Sequence, residues 1–219
     1  MVEEAGWIQD LLEEEEFAKS TNLDEFQRAL RQIKTQGNRC KEITHKLLSF
    51  ARRTESRCQE ININTLLPEL VDLSKQRTKY NNVTVKVDVQ DELPVITASG
   101  TELQQIFLNL VNNAIDAMDS SGGVVNITTR FSEDKITVAI SDTGPGIPKS
   151  NLDRIFDPFF TTKPVGKGTG LGLSICYGIV KKMGGEIHVK SEVGAGSTFS
   201  VSLPATRAIQ FDTTNNVRF

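Results

Sequence analysis

The sequence predicts an α+β fold: an α/β sandwich with one mixed sheet covered by helices on one face, preceded by a helical hairpin. Three observations predict it. Apolar residues recur at spacings of three and four from Leu23 to Ala51, the mark of a long amphipathic helix. Alternating strands such as Val83-Thr-Val-Lys-Val-Asp-Val89 are then interleaved with helical segments, a pattern that gives a sheet packed against helices. One of those segments, 101–118, is apolar almost all round and so must be buried. The 219 residues suffice for an ordinary domain plus a smaller one, with expected divisions at 1–56, 60–205 and 206–219.

In chain order, Trp7-Ile-Gln-Asp-Leu-Leu12 reads as a short helix running into the charged end Glu13 to Glu16. Ser20 or Asn22 can cap the second, longer helix, with Asp24 and Glu25 complementing the dipole in its first turn. Its seam is Leu23, Phe26, Leu30, Ile33, Gly37, Cys40, Thr44, Leu47 and Ala51, a heptad pattern with Gly37 and Thr44 as weak positions. The stub at 7–17 is too short to cover such a seam, and a four-helix homodimer of two hairpins would cover it.

Beyond it, Ile61 to Asn64 reads as a short strand, Leu66 to Lys79 as a helix, Val83 to Val89 as a strand and Pro94 to Thr97 as another short strand. Ser99 and Glu102 have capping-box spacing and open a helix to Met118. Gly122–Arg130 and Lys135–Ser141 form a hairpin. The stretch 144–168, rich in Gly, Pro and Lys, is long for a loop and has the character of a functional lid. A helix from about Gly170 ends at Gly184-Gly185. Strands 186–192 and 197–203 close the domain across Val193-Gly-Ala-Gly196, and 205–219 reads as a tail.

Composition narrows the function. Hydrophobic content of 38% and charged content of 24% belong to a globular chain. A net charge of -3 argues against nucleic acid as a partner. No apolar run is long enough to cross a bilayer and no signal peptide opens the chain. Cys40, Cys58 and Cys176 lie far apart without CxxC spacing, as expected of free thiols in a reducing cytoplasm.

Four blocks carry chemistry. On the helix 101–118, Gln105, Asn109, Asn112, Asn113 and Asp116 share one polar face. Burying those groups costs about 1–3 kcal/mol each unless partners are supplied. A magnesium ion with nucleotide phosphates would supply them; solvent on that face is the alternative. Asp142 leaves an alternating strand directly into Gly144-Pro-Gly146. A carboxylate there can accept a hydrogen bond from the exocyclic amine of adenine and would repel the carbonyl of guanine, although Asp-x-Gly also makes ordinary tight turns. Phe156, Phe159 and Phe160 lie on the Pro-rich loop as lid anchors or core plugs. Gly166, Gly168, Gly170 and Gly172 precede an apolar helix, and unblocked amides at a helix start bind anions. Lys163 and Lys167 could meet β- or γ-phosphate, or be solvated surface.

Together these blocks resemble the histidine-kinase ATPase domain family, which also includes gyrase B, Hsp90 and MutL. The resemblance covers about residues 20–204. Asn109 to Ala114 is similar to the N box, Asp142-Thr-Gly-Pro-Gly146 to the G1 box, Phe156-Asp-Pro-Phe-Phe160 to the F box and Gly168-Thr-Gly-Leu-Gly172 to the G2 box. It implies the cofactors ATP and Mg²⁺. Asn113 would hold the metal, Asn109 would line the phosphates, Asp142 would read adenine and the loop between G1 and G2 would be the ATP lid. It also implies nucleotide contacts from Asn112, Asp116, Gly144, Gly146, Ile147, Phe156, Phe159, Lys163, Gly168, Thr169, Gly170, Leu171, Gly172 and Leu173. The F box and the helix ending Ile43-Thr-His-Lys-Leu-Leu-Ser-Phe-Ala-Arg52 look like sensor histidine kinases, closest to the nitrogen-regulator and zinc-sensor branch. A response regulator receiver domain and a second copy of the chain are then the implied partners.

One departure stands out. The family's acceptor histidine lies in a first-helix motif, typically His-Glu-x-x-Asn-Pro, and nothing like it occurs here. Trp7 to Glu14 looks like the end of that helix, as in a truncated or naturally partial chain. The expectation is a cytoplasmic catalytic core that presents the γ-phosphate of Mg·ATP to a histidine carried elsewhere, and that does not autophosphorylate. A non-catalytic, nucleotide-dependent docking module and a gyrase- or Hsp90-like ATPase are the other readings. The ATPase reading needs an acid aimed at water, for which Glu102 lies too early on its helix.

Overall fold

A computed structural model describes residues 23–51, 58–118, 121–164 and 168–205. The chain divides into two compact units, Met1–Thr54 with Thr161–Thr169 and Glu55–Phe160 with Gly170–Phe219. Within the first, α1 spans Leu23–Ala51. Of its expected seam, Leu30 is buried whereas Phe26 and Ile33 are 60% and 46% exposed. The expected first helix of the hairpin, at 7–17, and the tail 206–219 lie outside the described residues.

The second unit holds β1 (Gln59–Ile61), α2 (Ile63–Leu73), α3 (Lys75–Tyr80), β2 (Val83–Asp88), β3 (Ile96–Ala98), α4 (Gly100–Ala117), β4 (Gly123–Ser132), β5 (Lys135–Asp142), α5 (Lys149–Leu152), α6 (Gly172–Lys182), β6 (Glu186–Glu192) and β7 (Gly196–Pro204). The main sheet has the order β2-β4-β5-β7-β6. Its β2–β4 pair is parallel and the other pairs are antiparallel, so the sheet is mixed, as expected.

Alternation decides which face is covered. Val125, Ile127 and Thr129 of β4, Ile136, Val138 and Ile140 of β5, and Phe199, Val201 and Leu203 of β7 are all buried. Their neighbours in sequence point to the other face, which is polar. There Thr137 pairs with Ser202 at 2.8 Å and Ser141 with Thr198 at 2.9 Å. Helix α4 packs on the apolar face through β4 and β5 and is itself flanked by α2 and α6. Leu103, Ile106, Phe107 and Ile115 are wholly inaccessible, and each such side chain contributes about 1.5–3 kcal/mol of burial.

Three boundaries differ from expectation. The strand expected at Ile61–Asn64 is β1, which ends at Ile61 because Asn62 caps α2, its side chain accepting from Asn64 N at 2.9 Å. The single helix expected at Leu66–Lys79 is two. Ser74, 2% exposed, turns its hydroxyl back onto Leu70 O and separates α2 from α3. The short strand expected at Pro94–Thr97 is β3, and it pairs with β1 in a separate two-stranded sheet. The long loop after β5 also contains one helical turn, α5, that periodicity could not reveal in four residues.

Candidate functional site

Helix α4 begins where expected: the Ser99 hydroxyl accepts the Glu102 amide at 3.4 Å. Gln105, Asn109, Asn112, Asn113 and Asp116 are each half-buried along the stripe opposite the core. Asn109 faces the first residue of α6, where a Cβ on Gly172 would stand 3.7 Å from its Cγ and Oδ1. Glycine therefore leaves open the space in front of that carboxamide. Behind it, the fully buried Cys176 thiol donates to Ile106 O at 3.6 Å. Burial pushes this thiol up to about 12, with a hydrogen bond from the Asn109 side chain acting the other way.

Asp116 is engaged by Arg77 of α3, whose Nη2 donates to Oδ1 at 2.7 Å. The one acid of the stripe thus has a cationic partner.

Asp142 is the last residue of β5 and only 8% exposed. Its Oδ1 accepts two backbone amides, Gly144 N at 2.9 Å and Ser197 N at 3.3 Å. Burial raises its pKa above the ordinary carboxylate value, and the two amides oppose that shift. Among the described residues Oδ2 has no hydrogen-bond partner, so it keeps its acceptor capacity. A Cβ on Gly144 would stand 2.8 Å from Asp142 Oδ1 and 3.3 Å from Ala117 Cβ. The turn after β5 therefore lies against the C-terminal end of α4, where the polar stripe also ends. Gly146, with φ 73°, passes so close to the Glu192 carbonyl that a side chain would collide with it. Ile147 N donates to Ser191 Oγ at 2.7 Å.

Beyond α5 the loop is anchored at Ile155, which is buried, and at Phe156, whose ring lies 5.5 Å from that of Tyr177 on α6. Phe160 is half-buried under the Arg154 guanidinium at 4.8 Å. Phe159 differs: it is 62% exposed and holds φ 68°, a left-handed conformation that costs a bulky residue about 1–3 kcal/mol. Its amide donates to Gly170 O at 3.0 Å, and Gly170 packs against its carbonyl with no room for a Cβ. Leu171 is buried at the N-cap of α6 and offers no side-chain cap, so the first amides of that helix keep their donor capacity. Leu173 is half-buried against the core. Lys163, Gly168 and Thr169 fall in the other compact unit, where Lys163 N donates to Thr161 Oγ1 at 3.2 Å. Lys167 lies outside the described residues.

Residues 98–207, just over half of the chain, match the family described as histidine kinase-, DNA gyrase B- and HSP90-like ATPase. The chain belongs to this ATPase family. The sensor kinase CckA of Brucella abortus (strain 2308) is 38% identical over 187 residues, covering 78% of this chain and 20% of that protein. The sensor histidine kinase ZraS of Escherichia coli (strain K12) is 36% identical, covering 77% of this chain and 36% of that protein. The chain therefore spans between a fifth and about a third of these relatives. Among solved structures, full-length ShkA in complex with AMPPNP matches with a TM-score of 0.71 at 27% identity, covering 86% of this chain and 40% of that one. The catalytic domain of histidine kinase ThkA matches with a TM-score of 0.60 at 34% identity, covering 68% of this chain and 95% of that one. As a histidine-kinase-type ATPase domain, the chain has ATP as its expected nucleotide.

Four residues of this site escape sequence reasoning. Ser197 and Ser191 become relevant only through the β5–β7 and β6–β7 registers, Arg77 through a salt bridge 39 positions away, and Cys176 through the packing of α6 on α4.

Proposed function

We propose that the chain is the Mg·ATP-binding catalytic core of a two-component sensor histidine kinase. The observation that carries this reading is the Asp142 carboxylate. It is buried, anchored on Oδ1 by two amides, and left with an accepting edge on Oδ2. That edge suits the 6-amino group of adenine. Asn109, Asn112 and Asn113 continue from the adenine end along α4 and would line the phosphates. Their hard carboxamide oxygens, with the space that Gly172 leaves open before Asn109, fit a Mg²⁺ ion that otherwise keeps water and phosphate ligands. Asn113 would hold the ion, which when bound neutralises charge on the phosphates.

The chain's own work is to bind, orient and exclude water. The loop from Gly146 to Gly168, with Lys163, Lys167 and Thr169, would close over the triphosphate as a lid. Transfer forms a bond from an imidazole nitrogen to the γ-phosphorus and breaks the bond to the β,γ-bridging oxygen. ADP leaves with the electron pair and the imidazole proton passes to water. Rate comes from alignment and charge stabilisation, as in other phosphoryl transfers. His188 does not suit the acceptor role. It is exposed on β6 and bonded to Glu186 at 3.2 Å. His45, the other histidine, lies outside any His-Glu-x-x-Asn-Pro context, so the proposed acceptor is a histidine that neither of these two supplies.

Glu102 does not fit the water-activating base of a gyrase- or Hsp90-like machine, because its Oε1 is paired with Lys182 at 2.7 Å. The exposed Phe26 and Ile33 on α1 support a homodimer through that helix. A response regulator receiver domain is the proposed phosphate destination. ThkA has been solved in complex with the response regulator TrrA, a match of TM-score 0.67 at 25% identity covering 94% of this chain and 59% of that one. The proposed location is the cytoplasm. The test is to mix the chain with labelled ATP and an acceptor domain of the same family branch. Acid-labile, alkali-stable label on that domain's histidine is expected, and its absence with a competent acceptor would refute the reading.

A further inference from the structure

We propose that Ser191 is a positioning residue for base recognition, its hydroxyl tying the turn after Asp142 to the β6–β7 hairpin that holds the Asp142 carboxylate. The inference rests on the nucleotide-binding reading above and adds a residue that never touches the ligand.

The hydroxyl is fully used. Ser191 Oγ accepts Ile147 N at 2.7 Å, donates to Gly196 O at 2.9 Å and lies 2.9 Å from Ser197 Oγ. A serine hydroxyl has one proton and two lone pairs. With the proton on Gly196 O and one lone pair on the Ile147 amide, the second lone pair must take the Ser197 hydroxyl proton. Ser197 is thus fixed from its side chain by Ser191, while its amide donates to Asp142 Oδ1 at 3.3 Å. Ser191 therefore holds both ends of the arrangement: the amide five residues past Asp142 and the strand residue paired with Asp142.

The neighbouring turns are in close contact. Gly194 N donates to Pro145 O at 2.8 Å, so the two turns are joined along their backbones as well. A Cβ on Gly196, which has φ 96°, would collide with the Asp142 carbonyl. Two turns in such contact move together, and the Ser191 hydroxyl is the side-chain bond that sets their spacing. Ser191 is itself half-buried, so water replaces its three bonds poorly once the hydroxyl is removed. Loss of Ser191 then loosens the Ser197 amide on Asp142 Oδ1 and lets the carboxylate rotate away from the base.

The test compares affinities of the whole chain for ATP and for purine riboside triphosphate, which lacks the 6-amino group. A hydrogen bond to a charged group makes the parent favour ATP by about tenfold or more. In Ser191→Ala that preference falls to within about twofold, while affinity for the analogue changes little; Ser191→Thr, which keeps the hydroxyl, retains it. Amide hydrogen exchange at Ile147, read without nucleotide, accelerates in Ser191→Ala and not in Ser191→Thr. Ser191→Cys, similar in size with far weaker hydrogen bonding, takes the place of Ser191→Ala should that variant not fold. A preserved ATP preference in Ser191→Ala, or an equal loss for both triphosphates, overturns the inference. A parent that binds neither triphosphate overturns the functional reading itself, and this inference with it.

Discussion

Asp142 and Ser197 face each other across the β5–β7 ladder, and the Ser197 amide donates to Asp142 Oδ1 at 3.3 Å. That bond, with the one from Gly144 N, partly offsets the burial that raises the carboxyl's pKa. The site keeps a poorly solvated anion in place with one edge unspent. An ionised group whose folded pKa is raised destabilises the empty protein at neutral pH. The relationship therefore reads as one of function rather than of folding, and several outcomes follow from the same geometry.

Asn113 is proposed as the metal ligand, on the half-buried stripe of α4. Asn113→Asp keeps size and an oxygen but adds charge beside the phosphates. The expected outcome is a melting temperature little changed without ligand and a clear loss of the Mg²⁺-dependent gain in ATP affinity. Titrations with and without Mg²⁺ check it. An equal gain in parent and variant would remove Asn113 from the metal site.

Cys176 stays protonated in the folded chain up to about 12, whereas the ordinary thiol value is 9.0. Above pH 9 the unfolded chain loses this proton and the folded chain keeps it, so the folded state binds more protons and stability falls as pH rises from 9 towards 12. Below pH 9 the thiol contributes no pH dependence. Denaturant titrations of the parent and Cys176→Ser across that window should differ in slope. A thiol reagent at pH 8 should label the exposed Cys40 and Cys58 and reach Cys176 only on unfolding.

Much of this site was legible in the sequence because its signals are local. The cap at Ser99, the carboxamide stripe from Asn109 to Asp116 and the Asp142-Thr-Gly-Pro-Gly146 turn each occupy a short run of sequence, and capping-box spacing, helical periodicity and the Gly-Pro-Gly residues find them. The break at Ser74 was not legible, since a buried hydroxyl turned back onto Leu70 O leaves the helical pattern intact on both sides. Arg77 on Asp116 and Ser197 on Asp142 depend on which strands and helices end as neighbours, and no spacing along the chain encodes that. The stripe marks the position of Asp116 but not the Arg77 guanidinium that pairs with it.

The lid is expected to respond to ligand. Protease cleavage between residues 146 and 168 should slow when Mg²⁺ and a non-hydrolysable ATP analogue are added, as the triphosphate engages Lys163, Lys167 and the amides near Gly170. A digestion rate unchanged by saturating analogue would argue that this segment takes no part in binding.

The chain alone should not phosphorylate itself on histidine. His45 lies on α1 directly between Thr44 and Lys46 rather than in a His-Glu-x-x-Asn-Pro motif, and His188 is held by Glu186 at 3.2 Å. Incubation with labelled Mg·ATP, followed by acid and alkaline treatment of the denatured protein, checks this. Stoichiometric acid-labile label that disappears in His45→Ala would contradict it.

The most direct measurement is a calorimetric titration of the parent and Asp142→Asn with ATP and with GTP. The carboxamide of the variant could still accept from Gly144 and Ser197 but would turn a neutral amide, not an anion, toward the base. The account predicts that the parent binds ATP and discriminates against GTP. In the variant, ATP affinity falls by about 1.5–3 kcal/mol, the value of a hydrogen bond to a charged group, while its melting temperature without nucleotide stays level or rises. Equal affinity of the parent for both nucleotides, or an Asp142→Asn variant that binds ATP as the parent does, would contradict it.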